Sequence, residues 1–184
     1  WIMLGIGDRF PEFKLNAVSG NMLQKDPDWK DADHEFITVD NWSLRDWSVI
    51  YFYPKDFTFI CPTEITGMDI LMQETEEVIG ISGDNEFCKW AWKCETDSPL
   101  YGVMHPLAAD CGLKLARECG VVNEKEGVCY RATFILDPQG YIAHVSVNRD
   151  DTGRNAKEIL RTLQALKSGG LTGCEWNPGE EFVA

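Results

Sequence analysis

The stretch "YFYPKDFTFICPTEI", residues 51–65, ends an aromatic, strand-like run at Pro54 and then sets one cysteine, Cys61, directly before Pro62, Thr63 and Glu64. Just upstream, "WSVIYFY" (Trp47 to Tyr53) is so continuously apolar that it predicts a strand buried on both faces, in the middle of a sheet. Downstream, Pro62 opens a segment with helical spacing through Ile65, Met68 and Met72, and "VIGIS" (Val78 to Ser82) reads as a second buried strand. These three pieces make a β-α-β unit. "FITVD" (Phe36 to Asp40) is a further strand, and the polar, Asp-rich run from Lys25 to Glu35 reads as a surface loop.

Beyond that unit, Phe87 to Cys94 reads as a helix, and Cys111 to Cys119 as another with Gly120 at its C-terminal stop. "ATFIL" (Ala132 to Leu136), the turn "DPQG" and "YIAHVSV" (Tyr141 to Val147) form an antiparallel hairpin with proline at the second turn position. An amphipathic helix follows from about Asn155 to Lys167, with Ile159, Leu160, Leu163 and Leu166 on one stripe and Gly169 and Gly170 ending it. A parallel unit first and a hairpin and helix last predict an α/β fold of the thioredoxin-like type, a central mixed sheet flanked by helices.

With 184 residues, 44% of them hydrophobic, the chain can close one sizeable core. The expected division is a thioredoxin-like domain over residues 3–168, with residues 169–184 as a cysteine-bearing tail of the same unit. Seven cysteines are an odd number, none forms a Cys-x-x-Cys pair, and the first residues lack a charged start followed by a long apolar block. Met3 is the expected translation start, with Trp1 and Ile2 preceding it. No apolar run reaches the roughly 18 residues a membrane span requires. The expectation is therefore a reducing compartment, the cytoplasm, and mostly unlinked thiols. A formal net charge of -13 repels phosphate backbones, so nucleic acid is not expected as a partner.

A thiol becomes a strong nucleophile only as a thiolate, and at an ordinary pKa only a few per cent is ionised at pH 7. Proline is pre-organised for the first helical position, so Cys61 should sit at or next to the N-cap, facing unpaired backbone N–H groups and the positive end of the helix dipole. Thr58 could turn its hydroxyl toward the sulfur or toward an oxygen held beside it, and Pro54 could shield the pocket from water. Most intracellular cysteines, by contrast, are small buried hydrophobes, and Pro62 alone would mark only a helix start.

The whole arrangement decides between these readings, because "PKDFTFICPTE" resembles the signature of the peroxiredoxins, thiol peroxidases with a thioredoxin-like fold. "VIGISGDNEFCKWAW" is similar to that family's second strand and following helix. "YRATFILDPQGYI" resembles its arginine-bearing hairpin and "GRNAKEILRTLQAL" its last core helix. The resemblance spans nearly the whole chain and is nearest to the alkyl hydroperoxide reductase C group of typical 2-Cys peroxiredoxins, in its mycobacterial-like type. It implies that Cys61 is the peroxidatic cysteine, which attacks one peroxide oxygen and becomes a sulfenic acid. Pro54, Thr58 and Arg131 would complete the pocket. A permanently charged guanidinium at 131 would stabilise both the thiolate and the charge developing on the departing oxygen. Glu64 and Arg154 match positions that orient this network.

The same resemblance implies a resolving thiol that captures the sulfenic acid as an intersubunit disulfide, and Cys174, in "SGGLTGCEWNPGEE", is the candidate. The usual position of that cysteine, four residues before the tryptophan, is Thr172 here, and Cys174 stands two before Trp176. Cys88 and Cys94 flank Trp90 and Trp92 and are expected in core packing, as are Cys111 and Cys119 on one helical face. Cys129 has no assigned role. His34, His105 and His144 lack ligand spacing, so neither a metal nor an organic cofactor is expected. The implied partners are hydroperoxides, an external disulfide-reducing protein and copies of the chain itself, dimers closing into a ring of ten or twelve. A disulfide oxidoreductase would need a Cys-x-x-Cys pair. A holdase with incidental thiols on the same fold is the other alternative. Neither a Gly-Gly-Leu-Gly segment before the hairpin nor an extra helix after Trp176 is evident, and resistance of Cys61 to over-oxidation is the corresponding expectation.

Overall fold

The computed structural model describes residues 2–20, 36–95 and 97–184; the loop expected over Lys25 to Glu35, and His34 with it, lie outside the described residues. A seven-stranded sheet runs in the order β2-β1-β5-β4-β3-β8-β9. Its strands are β1 (Lys14–Val18), β2 (Phe36–Asp40), β3 (Ser48–Phe52), β4 (Val78–Ser82), β5 (Leu107–Ala109), β8 (Arg131–Leu136) and β9 (Ile142–Asn148). The short strands β6 (Val122–Asn123) and β7 (Val128–Cys129) pair separately. The helices are α1 (Cys61–Met68), extended by a 3-10 turn Asp69–Gln73, then α2 (Glu86–Cys94), α3 (Lys114–Glu118) and α4 (Ala156–Ser168). β3 pairs parallel with β4 and antiparallel with β8, so the sheet is mixed, with the expected parallel unit at its centre.

All five residues of β3 are buried, and their alternation builds both halves of the core. Val49, Tyr51 and Tyr53 point into a cluster with Ile65 and Met68 of α1, Trp92 of α2 and Ile159 and Leu163 of α4. Ile50 and Phe52 point the other way, against Phe134, Leu115, Ala116 and Cys119. α1, α2 and α4 thus cover one face and α3 the other. Asn155 caps α4 by accepting the Glu158 N–H at 3.2 Å, and Gly169, at φ 68, closes it in the left-handed region where glycine costs least.

One glycine is set by packing. A Cβ on Gly80 of β4 would stand 2.5 Å from the Tyr51 hydroxyl and 2.8 Å from Leu107 Cδ2, so this position leaves the room in which the phenol lies. Gly80→Ala is expected to destabilise the protein by about 1–3 kcal/mol, the cost of overpacking a filled core. Thermal denaturation checks this, and an unchanged midpoint would refute it.

The helix expected over Cys111 to Cys119 is shorter than its sequence suggests. Gly112 at φ 84 and Leu113 at φ 59 turn the chain first, and the Asp110 carboxylate accepts the Leu115 and Ala116 N–H groups at 3.1 and 2.8 Å, which starts the helix only at Lys114. Cys111 is consequently exposed, and only Cys119 of that pair joins the core.

Candidate active site

Cys61 is the first residue of α1, immediately after the N-cap Ile60, and is fully buried. Pro62 stands in the first turn, and the Thr63 and Glu64 N–H groups return to the Ile60 carbonyl at 3.0 and 3.2 Å. The loop between β3 and this helix bends sharply, with Phe57 at φ 54, a region costly for a bulky residue. Its ring stacks on Trp92, centroids 5.4 Å apart, which holds the bend.

Arg131, opening β8, lies over the sulfur. Its Nη1 donates to Cys61 Sγ at 3.3 Å and to Glu64 Oε2 at 2.6 Å, while Nε and Nη2 both reach the Asp150 carbonyl, at 2.9 and 2.7 Å. Glu64, one turn into α1, is shared with a second guanidinium: Arg154 Nε donates to Glu64 Oε1 at 3.1 Å, and Arg154 also holds the carbonyls of Phe52 and Ala132 at 2.6 and 2.9 Å. The three side chains are 5% exposed or less, and a single carboxylate compensates two cations. The surplus positive charge faces the one acidic atom left in the array, the Cys61 sulfur. One short connection, from the end of β9 to the start of α4, supplies both the Asp150 carbonyl and Arg154.

Of the residues singled out in the sequence, Cys61, Glu64, Arg131 and Arg154 therefore come together in one hydrogen-bonded array. Pro54 and Thr58 lie half-buried on the loop that leads into α1. The Thr58 hydroxyl donates to the Lys55 carbonyl at 3.0 Å and not to the sulfur, which leaves its lone pairs for an incoming O–H. Cys174 is exposed, in a tail laid against α4, and no disulfide joins it to Cys61. That tail is held by Arg161 Nη1 on the Trp176 carbonyl at 3.1 Å and by the stacking of Trp176 on Phe182, centroids 5.9 Å apart.

Burial pushes Cys129 up to about 12 and raises Cys119 as well. It also raises Cys88 and Cys111, reinforced by Asp56 and Glu86 respectively. None of these four has an arginine donor. Ligand atoms of Asp56, Asp84 and Cys88 lie within 4.8 Å of one another, but the buried Lys89 Nζ already sits 3.2 Å from Asp56 and supplies the positive charge there. Sequence reading did not single out Lys89, nor the buried contacts of Tyr51 with His105 and of His105 with Asp69, at 2.7 and 2.5 Å.

The AhpC/TSA family profile matches residues 6–145. The chain is 42% identical to alkyl hydroperoxide reductase C of Mycolicibacterium smegmatis, across 98% of this chain and 94% of that protein. It is 34% identical to a chloroplastic 2-Cys peroxiredoxin of Spinacia oleracea, across 97% of this chain and 67% of that one. Among solved structures it resembles Mycobacterium tuberculosis AhpC with a TM-score of 0.84 at 37% identity, covering 96% of this chain and 100% of the other. It also resembles the reduced Plasmodium vivax 2-Cys peroxiredoxin, TM-score 0.81 at 27% identity, over 96% and 91%.

Proposed function

Because this chain belongs to the AhpC/TSA family, a thiol peroxidase family of peroxiredoxin fold, we propose that Cys61 reduces hydroperoxides in it and that Arg131, Thr58 and Pro54 form the pocket. The observation that carries this is the 3.3 Å contact between Arg131 Nη1 and Cys61 Sγ at the start of α1. The thiolate attacks the terminal oxygen of ROOH, the O–O bond breaks, sulfur is oxidised to Cys–SOH, and the departing RO⁻ takes a proton to leave as ROH. Arg131 neutralises the thiolate and then the charge growing on the leaving oxygen. Thr58 accepts the peroxide O–H, its own proton being committed to Lys55. Pro54 limits water at the pocket wall. Glu64 and Arg154 orient Arg131.

The Cys174 thiol of a second copy then attacks the sulfenic sulfur, forming a disulfide and releasing water. A separate dithiol protein restores both thiols, and hydrogen peroxide and small organic hydroperoxides are the substrates, with peroxynitrite as a further one. Residues 3–168 act as the peroxidase unit and 169–184 as its resolving tail. Support for self-association comes from large apolar side chains on the surface, Phe59 at 96% and Phe87 at 64% exposure, and from β9 at the end of the sheet. Dimers closing into a ring of ten or twelve would cover them. Among the described residues no helix is long and apolar enough to cross a membrane, and the cytoplasm is the proposed site of action.

The test is one equivalent of hydrogen peroxide added to fully reduced protein, followed by non-reducing electrophoresis and peptide mapping. A Cys61–Cys174 linked dimer forming within seconds is expected. A sulfenic acid persisting at Cys61 without a dimer would remove Cys174 from the cycle and leave a one-cysteine enzyme.

A further inference from the structure

Behind the Cys61 array lies a second set of polar groups, buried under the sheet face that α1 covers. The Tyr51 hydroxyl is 2.7 Å from His105 Nε2, and His105 Nδ1 is 2.5 Å from Asp69 Oδ1. Tyr51 and His105 are fully buried. Both Asp69 oxygens also accept the Met104 N–H at 3.0 Å. Burial works to raise Asp69, but the His105 ring and the Met104 and His105 N–H groups prevail and hold its carboxyl below the ordinary value. Burial also holds His105 below its ordinary value against the pull of Asp69, with Lys93 adding to the effect. A carboxylate at Nδ1 fixes the neutral tautomer with its proton there, so Nε2 is the acceptor and the Tyr51 O–H donates to it.

The other side of the same phenol meets the active site. The Arg154 guanidinium lies 4.9 Å from the centroid of the Tyr51 ring. A phenol that donates its proton toward an imidazole backed by a carboxylate carries more electron density on its ring, which strengthens its hold on a cation above it. Asp69 also immediately follows α1, the helix that begins at Cys61, so the chain of contacts ties the far end of that helix back to its first turn.

We propose that Tyr51, with His105 and Asp69 behind it, is a positioning residue for peroxide reduction. Its ring fixes Arg154, and through Arg154 the Glu64–Arg131 pair, against the Cys61 sulfur. The proposal rests on Cys61 being the peroxide-reacting thiol, a reading that Cys61→Ser tests separately: peroxide consumption surviving that change would overturn the function, whatever the Tyr51 variants do.

The experiment is Tyr51→Phe, which keeps the ring and removes only the hydroxyl, measured beside Asp69→Asn, which removes the relay's charge from a partly exposed position. The rate constant for hydrogen peroxide is expected to fall about three- to tenfold in Tyr51→Phe and by a smaller factor in Asp69→Asn. Alkylation of Cys61 by iodoacetamide should slow in both. Tyr51→Phe combined with Arg154→Lys should be no slower than Arg154→Lys alone, since both changes act through one guanidinium. A lowered melting temperature with unchanged peroxide rate and unchanged Cys61 alkylation rate would assign these residues to stability alone and overturn the proposal. So would multiplicative losses in the double variant.

Discussion

Serine in place of Cys61 is expected to lower peroxide reduction by on the order of 10⁴-fold or more, the scale on which enzymes lose activity with their nucleophile. An alcohol at this position has no accessible anion near neutral pH, and oxygen does not accept a second oxygen from a peroxide as sulfur does. The change exchanges one atom at a fully buried position, so the fold should persist and the loss should appear in the chemistry. The Cys61→Ser protein should also form no peroxide-driven dimer. Competition kinetics with a second peroxidase measure the rate, and circular dichroism confirms the fold. Retention of even a tenth of the activity would move the chemistry to another thiol, or favour a holdase with incidental cysteines.

The second large effect is at Arg131. Removing one preorganised donor from a developing negative charge costs about 10²–10³ in rate, and Arg131→Gln removes the donor that touches the sulfur. Lysine should rescue little. One ammonium group cannot at once reach Cys61 Sγ, Glu64 Oε2 and the Asp150 carbonyl, the three points that the guanidinium fork spans. The fold should survive because Glu64 keeps its bonds to Arg154. Alkylation of Cys61 by iodoacetamide should slow in both variants. An Arg131→Gln rate within threefold of the parent would show that this arginine serves the fold and not the reaction.

The central strands were legible because their side chains leave no other option: β3 and β4 read as continuous apolar runs buried along their whole length, and the β8–β9 hairpin as apolar runs bounded by a turn. β1 and β5 were not. β5 is only three residues, "LAA", with no β-branched side chain, and it is a strand because β4 and β1 flank it. β1 is held at one edge by β5 and at the other by the distant β2, neither of which its own sequence announces. α3 failed in the opposite sense, since helical spacing continues back through Cys111 while left-handed Leu113 and the Asp110 cap interrupt it. At the site, Cys61 announced itself through Pro62 and its surrounding motif. Tyr51, His105 and Asp69 gave no such signal, because they come from three separate stretches and each taken alone reads as core, turn or surface.

Full burial of Cys61 gives the enzyme a clock. On the proposed cycle, a sulfur with no exposed surface would meet a small peroxide where it stands, yet would reach a thiol on another subunit only once the first turn of α1 opened. Such an opening would meet a natural stop at Glu64, anchored by two arginines, and would span little more than Phe57 to Thr63, beginning at a residue already in an unfavourable backbone region. Each oxidised molecule therefore waits in the closed state for a dwell time set by that short segment. On that cycle a second peroxide arriving within the wait would over-oxidise the sulfur, and one arriving after it would find a disulfide. The peroxide concentration at which the protein begins to inactivate thus reports how fast seven residues uncoil.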